Sequence, residues 1–177
     1  MNKSLPLFVV LLIAWTAPLT AKPIKINMVF VPASEKGDEK DYVNLIEIVN
    51  KLTGYEITPI RVTDYNAAVE SMRADRAQIA WFGGKTYIMA AKIANAEAFA
   101  AGVRKGDTDA TYNTYFVVRT DSAYKTLPDL KGKLLALNSI GSTSGDLIPR
   151  VELQKFGLST ARDFKRVFYA GSHDACM

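Results

Sequence analysis

The segment LLALNSIGSTSGDL, residues 134–147, carries the clearest structural signal in the chain. Its apolar run at 134–138 predicts a buried strand. A glycine-flanked cluster of hydroxyl side chains follows, and residues 144–156 then show helical spacing that stops at Gly157. Strand, turn and helix in this order form the repeating unit of α/β folds. The segment therefore predicts an α/β protein with a functional turn at the end of a strand.

The same alternation extends over the rest of the chain from residue 24. Gly54 and Asp64 are predicted to end one helix and begin the next, and Pro59 favours an edge position for its strand. Connections of this length imply parallel strands joined by right-handed crossovers. Further strands are predicted at 24–31, 56–62, 78–82, 97–103, 112–119 and 164–170, and helices at 42–52, 66–74 and 86–94.

Chain length, hydrophobic content, cysteine count and net charge limit the classes of protein to which this chain can belong. The chain has 177 residues, 49% of them hydrophobic, which is enough for one domain or two small lobes with real cores. A single Cys excludes an internal disulfide, and one Cys with one His excludes a zinc site of several such ligands. The formal net charge of +4 is compatible with an anionic ligand but gives no argument for nucleic acid. No cofactor is expected.

Residues 1–21 are typical of an export signal. Lys3 supplies a positive start, residues 5–15 form a short apolar run, and Ala21 offers a small residue at the cleavage edge. The run is short for a membrane span, although an uncleaved N-terminal anchor is the alternative. An exported protein is therefore predicted.

The hydroxyl cluster Ser142, Thr143 and Ser144 is predicted to bind an anion. Helix starts carry unpaired N–H groups and the positive end of the helix dipole, and three hydroxyls add further donors. Gly141 and Gly145 allow the backbone to approach a ligand closely. The alternative is an ordinary serine N-cap, which explains one hydroxyl and leaves two unexplained.

Three other side chains are candidates for the same site because they stand at the ends of predicted elements. His173, the only histidine, follows the last strand, where α/β proteins bind ligands. Tyr65 follows the second strand and Tyr112 begins a later one, and a tyrosine hydroxyl can donate to an oxyanion. Each of the three could equally be a packing residue. Lys85 is predicted to face solvent.

Two known functional motifs are matched only in part. The Gly141–Gly145 turn is spaced like a hydrolase nucleophile elbow, but its central residue is Thr143. Gly84-Lys85-Thr86 ends like a phosphate-binding P-loop, but Ile79 occupies the position of the required first glycine. A serine hydrolase would have to use His173 and the adjacent Asp174, and an aspartate next to the histidine in sequence is poorly placed to orient its ring. A non-enzymatic protein is expected.

Several motifs in a fixed order resemble one family. They are Asp64-Tyr65, Ala80-Trp81-Phe82-Gly83, Tyr112-Asn113-Thr114-Tyr115, Leu127-Pro128-Asp129-Leu130-Lys131-Gly132-Lys133, Gly141-Ser142-Thr143-Ser144-Gly145 and Ala170-Gly171-Ser172-His173-Asp174-Ala175. Together they resemble the substrate-binding proteins of phosphonate, phosphite and phosphate-type ABC importers. The last two motifs are the more specific, and the resemblance spans residues 24–175.

The resemblance implies a type II periplasmic-binding-protein fold with parallel-rich sheets flanked by helices. The first α/β lobe would span 22–111, and 112–177 would form a second lobe, incomplete at its C-terminus. Such a protein resides in the periplasm, closes on a tetrahedral oxyanion and delivers it to an ABC permease in the inner membrane. The family pattern implies that six residues contact the oxyanion: Tyr65, Tyr112, Ser142, Thr143, Ser144 and His173.

Two departures from the family pattern qualify this expectation. Gly84 stands where many relatives have proline, and relatives continue well beyond the His173-Asp174-Ala175 segment. Loss of the remainder would uncover sheet edges and leave hinge closure less constrained. The alternative is therefore a truncated remnant or interaction protein with the same lobe fold and no useful ligand affinity.

Overall fold

The computed structural model describes residues 22–32 and 38–177. The predicted export signal at 1–21 lies outside these residues. Helices and strands alternate along both halves of the described chain, and every strand pair is parallel. The α/β class with parallel sheets, predicted from the sequence, is confirmed.

The N-terminal sheet has three strands in the order β2-β1-β3, so that β2 is an edge strand, as its proline predicts. Each strand is followed by a helix, as crossover connections between parallel strands require. Asp64 caps α2 by accepting a hydrogen bond from the N–H of Ala67 at 2.9 Å. The elements are β1 (Lys25–Phe30), α1 (Asp38–Thr53), β2 (Glu56–Arg61), α2 (Tyr65–Arg73), β3 (Ile79–Trp81) and α3 (Gly84–Ala94).

The C-terminal sheet pairs two strands, with Leu135 opposite Val167 in the register. The connection between them is a helix that opens with one wide turn of π-helix at Thr143–Leu147. The other elements are a 3₁₀ turn (Leu127–Leu130), β4 (Leu134–Leu137), α4 (Ile148–Lys155), β5 (Arg166–Tyr169) and a final 3₁₀ turn (Asp174–Cys176).

Buried side chains form one cluster on each face of the N-terminal sheet and one on the C-terminal sheet. The first cluster includes Val29, Tyr65 and Ala68, the second Met28, Phe30, Ile46 and Ile57, and the third Leu135, Leu137, Leu153 and Leu158. Fully burying side chains of this size contributes about 1.5–3 kcal/mol each. These clusters hold the strand ends in place.

The apolar residues of α1, whose helical spacing favours a common face, do not share one buried face. Only Ile46 is buried, with Tyr42, Leu45 and Val49 packed partly against the same cluster. Val43, Ile48 and Leu52 are exposed. A helix lying on one sheet buries a single stripe at i, i+3 and i+4 spacing, and the other apolar positions fall outside that stripe.

Two predicted strands, at 97–103 and 112–119, are not formed. Within the described chain these segments have no ladder partner, and most of their large side chains, such as Phe99, Tyr115 and Val117, are exposed. A strand exists only when a neighbour accepts and donates its backbone hydrogen bonds, so β-branched and aromatic content alone is insufficient.

Within residues 22–32 and 38–177, no helix combines the length and apolar character that a membrane crossing requires.

Candidate functional site

The turn after β4 is tethered to both strands of the C-terminal sheet. Pro149 has no N–H, so the carbonyl of Gly145 four residues earlier lacks its usual helical donor. That carbonyl accepts the Asn138 N–H instead, at 2.9 Å, while the Asn138 carbonyl accepts the Gly171 N–H at 2.8 Å. The Gly145 carbonyl that the proline leaves without a helical donor thus holds the turn at the ends of β4 and β5.

Ser142 is the N-cap of this helix. Its hydroxyl oxygen accepts the Gly145 N–H at 2.9 Å, and the residue is only 1% exposed. The serine N-cap given as the alternative is therefore present, and it uses one of the three hydroxyls. The first N–H groups of a helix have no intrahelical acceptor, so the helix itself leaves those of Thr143 and Ser144 available to another acceptor.

The first turn of α3, from the N-terminal sheet, docks on this turn. The Lys85 N–H donates to the Thr143 hydroxyl oxygen at 2.8 Å, and the Thr86 hydroxyl donates to the Gly141 carbonyl at 2.8 Å. Thr86 is fully buried. A Cβ placed on Gly83 would lie 2.9 Å from the Thr143 hydroxyl oxygen, so the close approach requires glycine there.

Both candidate tyrosines lie beside these two turns. Tyr65 is 3% exposed, and its Cγ would lie 3.0 Å from a Cβ placed on Gly141, so its base packs directly on that glycine. The Tyr112 hydroxyl lies 4.0 Å from a Cβ placed on Gly83, which puts it beside the first turn of α3. Tyr112 is half exposed, so its ring is accessible from solvent.

His173 reaches the turn from the other side. Its Nε2 lies 3.4 Å from the Ser144 hydroxyl oxygen. The Thr114 hydroxyl donates to the Ser144 carbonyl at 2.8 Å, so the segment that carries Tyr112 is also fixed to the turn. All six predicted residues thus lie in or beside the Ser142–Ser144 turn.

A charged cluster behind the turn was not predicted from the sequence. Asp146, whose side chain is 5% exposed, accepts hydrogen bonds from Lys85 Nζ at 2.7 Å, from Arg150 Nε at 2.6 Å and from the Tyr169 hydroxyl at 2.9 Å. The prediction that Lys85 faces solvent is wrong, because its side chain is 23% exposed and also donates to the Ile140 carbonyl.

The neighbours of Asp146 lower the pKa of its carboxyl group. Burial opposes ionisation, but the hydrogen bonds from Arg150, Lys85 and Tyr169 outweigh it and hold the pKa below the ordinary 3.8. The carboxylate is therefore ionised at neutral pH. Only the i, i+4 spacing of Asp146 and Arg150 signals this cluster locally, whereas Lys85 is 61 residues away.

Comparison with known proteins identifies the family of this chain. The family model described as "ABC transporter, phosphonate, periplasmic substrate-binding protein" matches residues 28–177. The chain belongs to this family. The resemblance noted in the sequence is therefore confirmed. Within the described residues no cluster of three or more His, Cys, Asp or Glu side chains could hold a metal ion.

Individual members of the family are similar over most of this chain. The phosphate-import protein PhnD of Mycolicibacterium smegmatis is 30% identical over 162 residues, which cover 86% of this chain and 50% of that protein. The phosphonates-binding periplasmic protein of Escherichia coli is 28% identical over 142 residues, 78% of this chain and 42% of its own length. The chain therefore spans about half the length of these relatives.

Solved structures show the same fold. A binding component of an ABC phosphonate transporter from Pseudomonas aeruginosa aligns with a TM-score of 0.74 and 25% identity, covering 86% of this chain and 52% of that one. PhnD1 from Prochlorococcus marinus, solved in complex with methylphosphonate, aligns with a TM-score of 0.63 and 22% identity, covering 87% and 58%.

Proposed function

We propose that this chain captures a tetrahedral phosphorus oxyanion, such as a phosphonate, phosphite or phosphate, at the Ser142–Ser144 turn. The observation that carries the proposal is the convergence on Thr143 of two helix starts from different sheets. Family membership supports the ligand class, and the likeness to a methylphosphonate-bound structure supports the fold that would hold it.

The chemistry of the turn suits an oxyanion. The Thr143 hydroxyl oxygen already accepts the Lys85 N–H, so its own proton remains available to donate. The N–H groups of Thr143 and Ser144 add donors at the positive end of the helix dipole. The Ser144 hydroxyl and His173 Nε2, 3.4 Å apart, would donate from the other side.

The wider role follows the family. The chain would be exported to the periplasm by residues 1–21 and would deliver its ligand to an ABC permease in the inner membrane. Residues 22–111 and 112–177 would act as the two lobes, with Tyr65 contributed by the first and the Ser142–Ser144 turn by the second. The contact of α3 with this turn would then be where the lobes close.

Replacing Thr143 with valine tests the site. Valine keeps the shape and removes the hydroxyl, so we expect phosphite or methylphosphonate affinity to fall by about 1–3 kcal/mol, roughly 5- to 150-fold. Isothermal titration calorimetry measures this directly. Thr58→Val, at an exposed position of β2, is the matched control and should bind as the wild type does. Unchanged affinity in Thr143→Val would remove that hydroxyl from the site.

The contact between Ser144 and His173 favours one second candidate, a serine hydrolase, because a nucleophilic serine needs a nearby histidine base. Turnover of p-nitrophenyl acetate separates the two functions. We expect no turnover above the buffer rate, whereas turnover that disappears in Ser144→Ala would support the hydrolase.

A further inference from the structure

We propose that Lys85 and Asp146 form a positioning pair that gives the site its preference for a doubly charged oxyanion over a singly charged one. This rests on the proposed function, because it concerns ligand charge at the same turn. Lys85 was predicted from the sequence to face solvent. In this proposal it acts on the site through its charge and does not itself contact the ligand.

The buried carboxylate of Asp146 is a charge that should oppose anion binding. Asp146 lies two residues beyond Ser144, in the first turn of the helix proposed to receive the anion. Its carboxylate is buried, with 5% of the side chain exposed, and is ionised at neutral pH. Left uncompensated, a buried negative charge at this position would repel an anion at the turn.

Three side chains compensate the charge of Asp146. Asp146 Oδ1 accepts hydrogen bonds from Arg150 and Tyr169, and Oδ2 accepts one from Lys85 Nζ at 2.7 Å. The Arg150 pair lies within one helix. Lys85 belongs to α3, so it reaches the carboxylate from the opposing sheet. With Lys85 and Arg150 both present beside Asp146, the cluster carries one net positive charge. Without Lys85 its net charge is zero.

Lys85 is also linked to the groups proposed to donate to the ligand. Its N–H donates to the Thr143 hydroxyl oxygen at 2.8 Å, and its Nζ donates to the Ile140 carbonyl as well as to Asp146. One residue thus orients the Thr143 hydroxyl and contacts the turn on both sides of it. A substitution of the Lys85 side chain can keep the backbone N–H contact with Thr143, but it removes the positive charge of Nζ.

The charge of Lys85 would discriminate between ligands of different charge. Coulomb energy scales with the product of the charges, so a dianion loses twice the free energy of a monoanion when one positive charge disappears. A purely structural role for Lys85, such as holding the turn in place, would weaken both ligands equally. The ratio of the two affinities therefore distinguishes positioning through charge from packing.

The test compares the full chain with its Lys85→Met variant, using phosphite and hypophosphite at mildly alkaline pH. These are tetrahedral anions of similar size, with two and one negative charges respectively. Lys85→Met is expected to weaken phosphite binding about tenfold and hypophosphite binding about threefold, and Lys85→Arg should restore most of the phosphite affinity. Lys92→Met, at an exposed position of the same helix, is the matched control and should change neither.

Any one of three results would overturn the proposed role of the pair. They are an equal loss of affinity for the two anions, no loss of phosphite affinity in Lys85→Met, and no rescue of phosphite affinity by Lys85→Arg. If the wild type and Lys92→Met both fail to bind phosphite, the proposed function itself fails instead. Circular dichroism of each variant shows whether it folds. If Lys85→Met does not fold, Lys85→Gln is measured in its place with the same expected ratio.

Discussion

Replacing Gly141 with alanine is expected to lower phosphite affinity more than a hundredfold while leaving a folded protein. A Cβ on Gly141 would overlap Tyr65 Cβ and lie 3.0 Å from its Cγ. Rotation of the Tyr65 side chain cannot move its Cβ, because that atom is fixed to the start of α2. The turn must therefore shift away from Tyr65 and α3, at a cost of about 1–3 kcal/mol in stability.

Calorimetry with phosphite and thermal unfolding measure the two effects separately. Gly84→Ala is the matched control, because nothing lies within 4 Å of a Cβ at that position. It should unfold and bind much as the wild type does. Wild-type affinity in Gly141→Ala would show that the packing of Tyr65 against the turn is not needed for binding.

Asp146→Asn is expected to lower the free energy of unfolding by about 2–4 kcal/mol at neutral pH. The amide cannot offset the charges of Lys85 and Arg150, which are 23% and 34% exposed and would remain facing each other. Urea unfolding followed by circular dichroism gives the value. Asp121→Asn removes an exposed partner of Arg119 and serves as the control, with no change in midpoint expected.

The pH dependence of this effect follows from the pKa of Asp146. A carboxyl group whose pKa is lowered by folding stabilises the protein above its ordinary pKa and loses that contribution as the pH falls through the folded value. The difference between the wild type and Asp146→Asn should therefore shrink below pH 3.8. A difference that stays constant down to strongly acidic pH would contradict the ion pairing.

Local sequence predicted the features that depend on neighbours along the chain. The Asp64 cap, the edge position given by Pro59 and the strand, turn and helix around Ser142 are all present. Each rests on a backbone rule that acts within a few residues. The same rules placed the six candidate residues at element ends, and their proximity in the structure is consistent with that placement. Their role in binding stays a prediction.

Contacts between distant segments could not be predicted. Lys85 has the sequence context of an exposed first-turn residue, and only the packing of α3 on the turn reveals its pair with Asp146. The segments at 97–103 and 112–119 have strand-like composition, yet strand formation depends on a partner that composition does not specify. Both errors arise because pairing is a property of tertiary structure.

The most direct test of the account is a phosphite titration followed by ¹H–¹⁵N NMR of the assigned chain. The N–H groups of Thr143 and Ser144 are proposed to bind the anion, so their resonances should shift most and saturate together with those of Lys85 and His173. Saturable shifts confined to other surfaces, or no shift at the turn when the anion is in large excess, would contradict an oxyanion site at Ser142–Ser144.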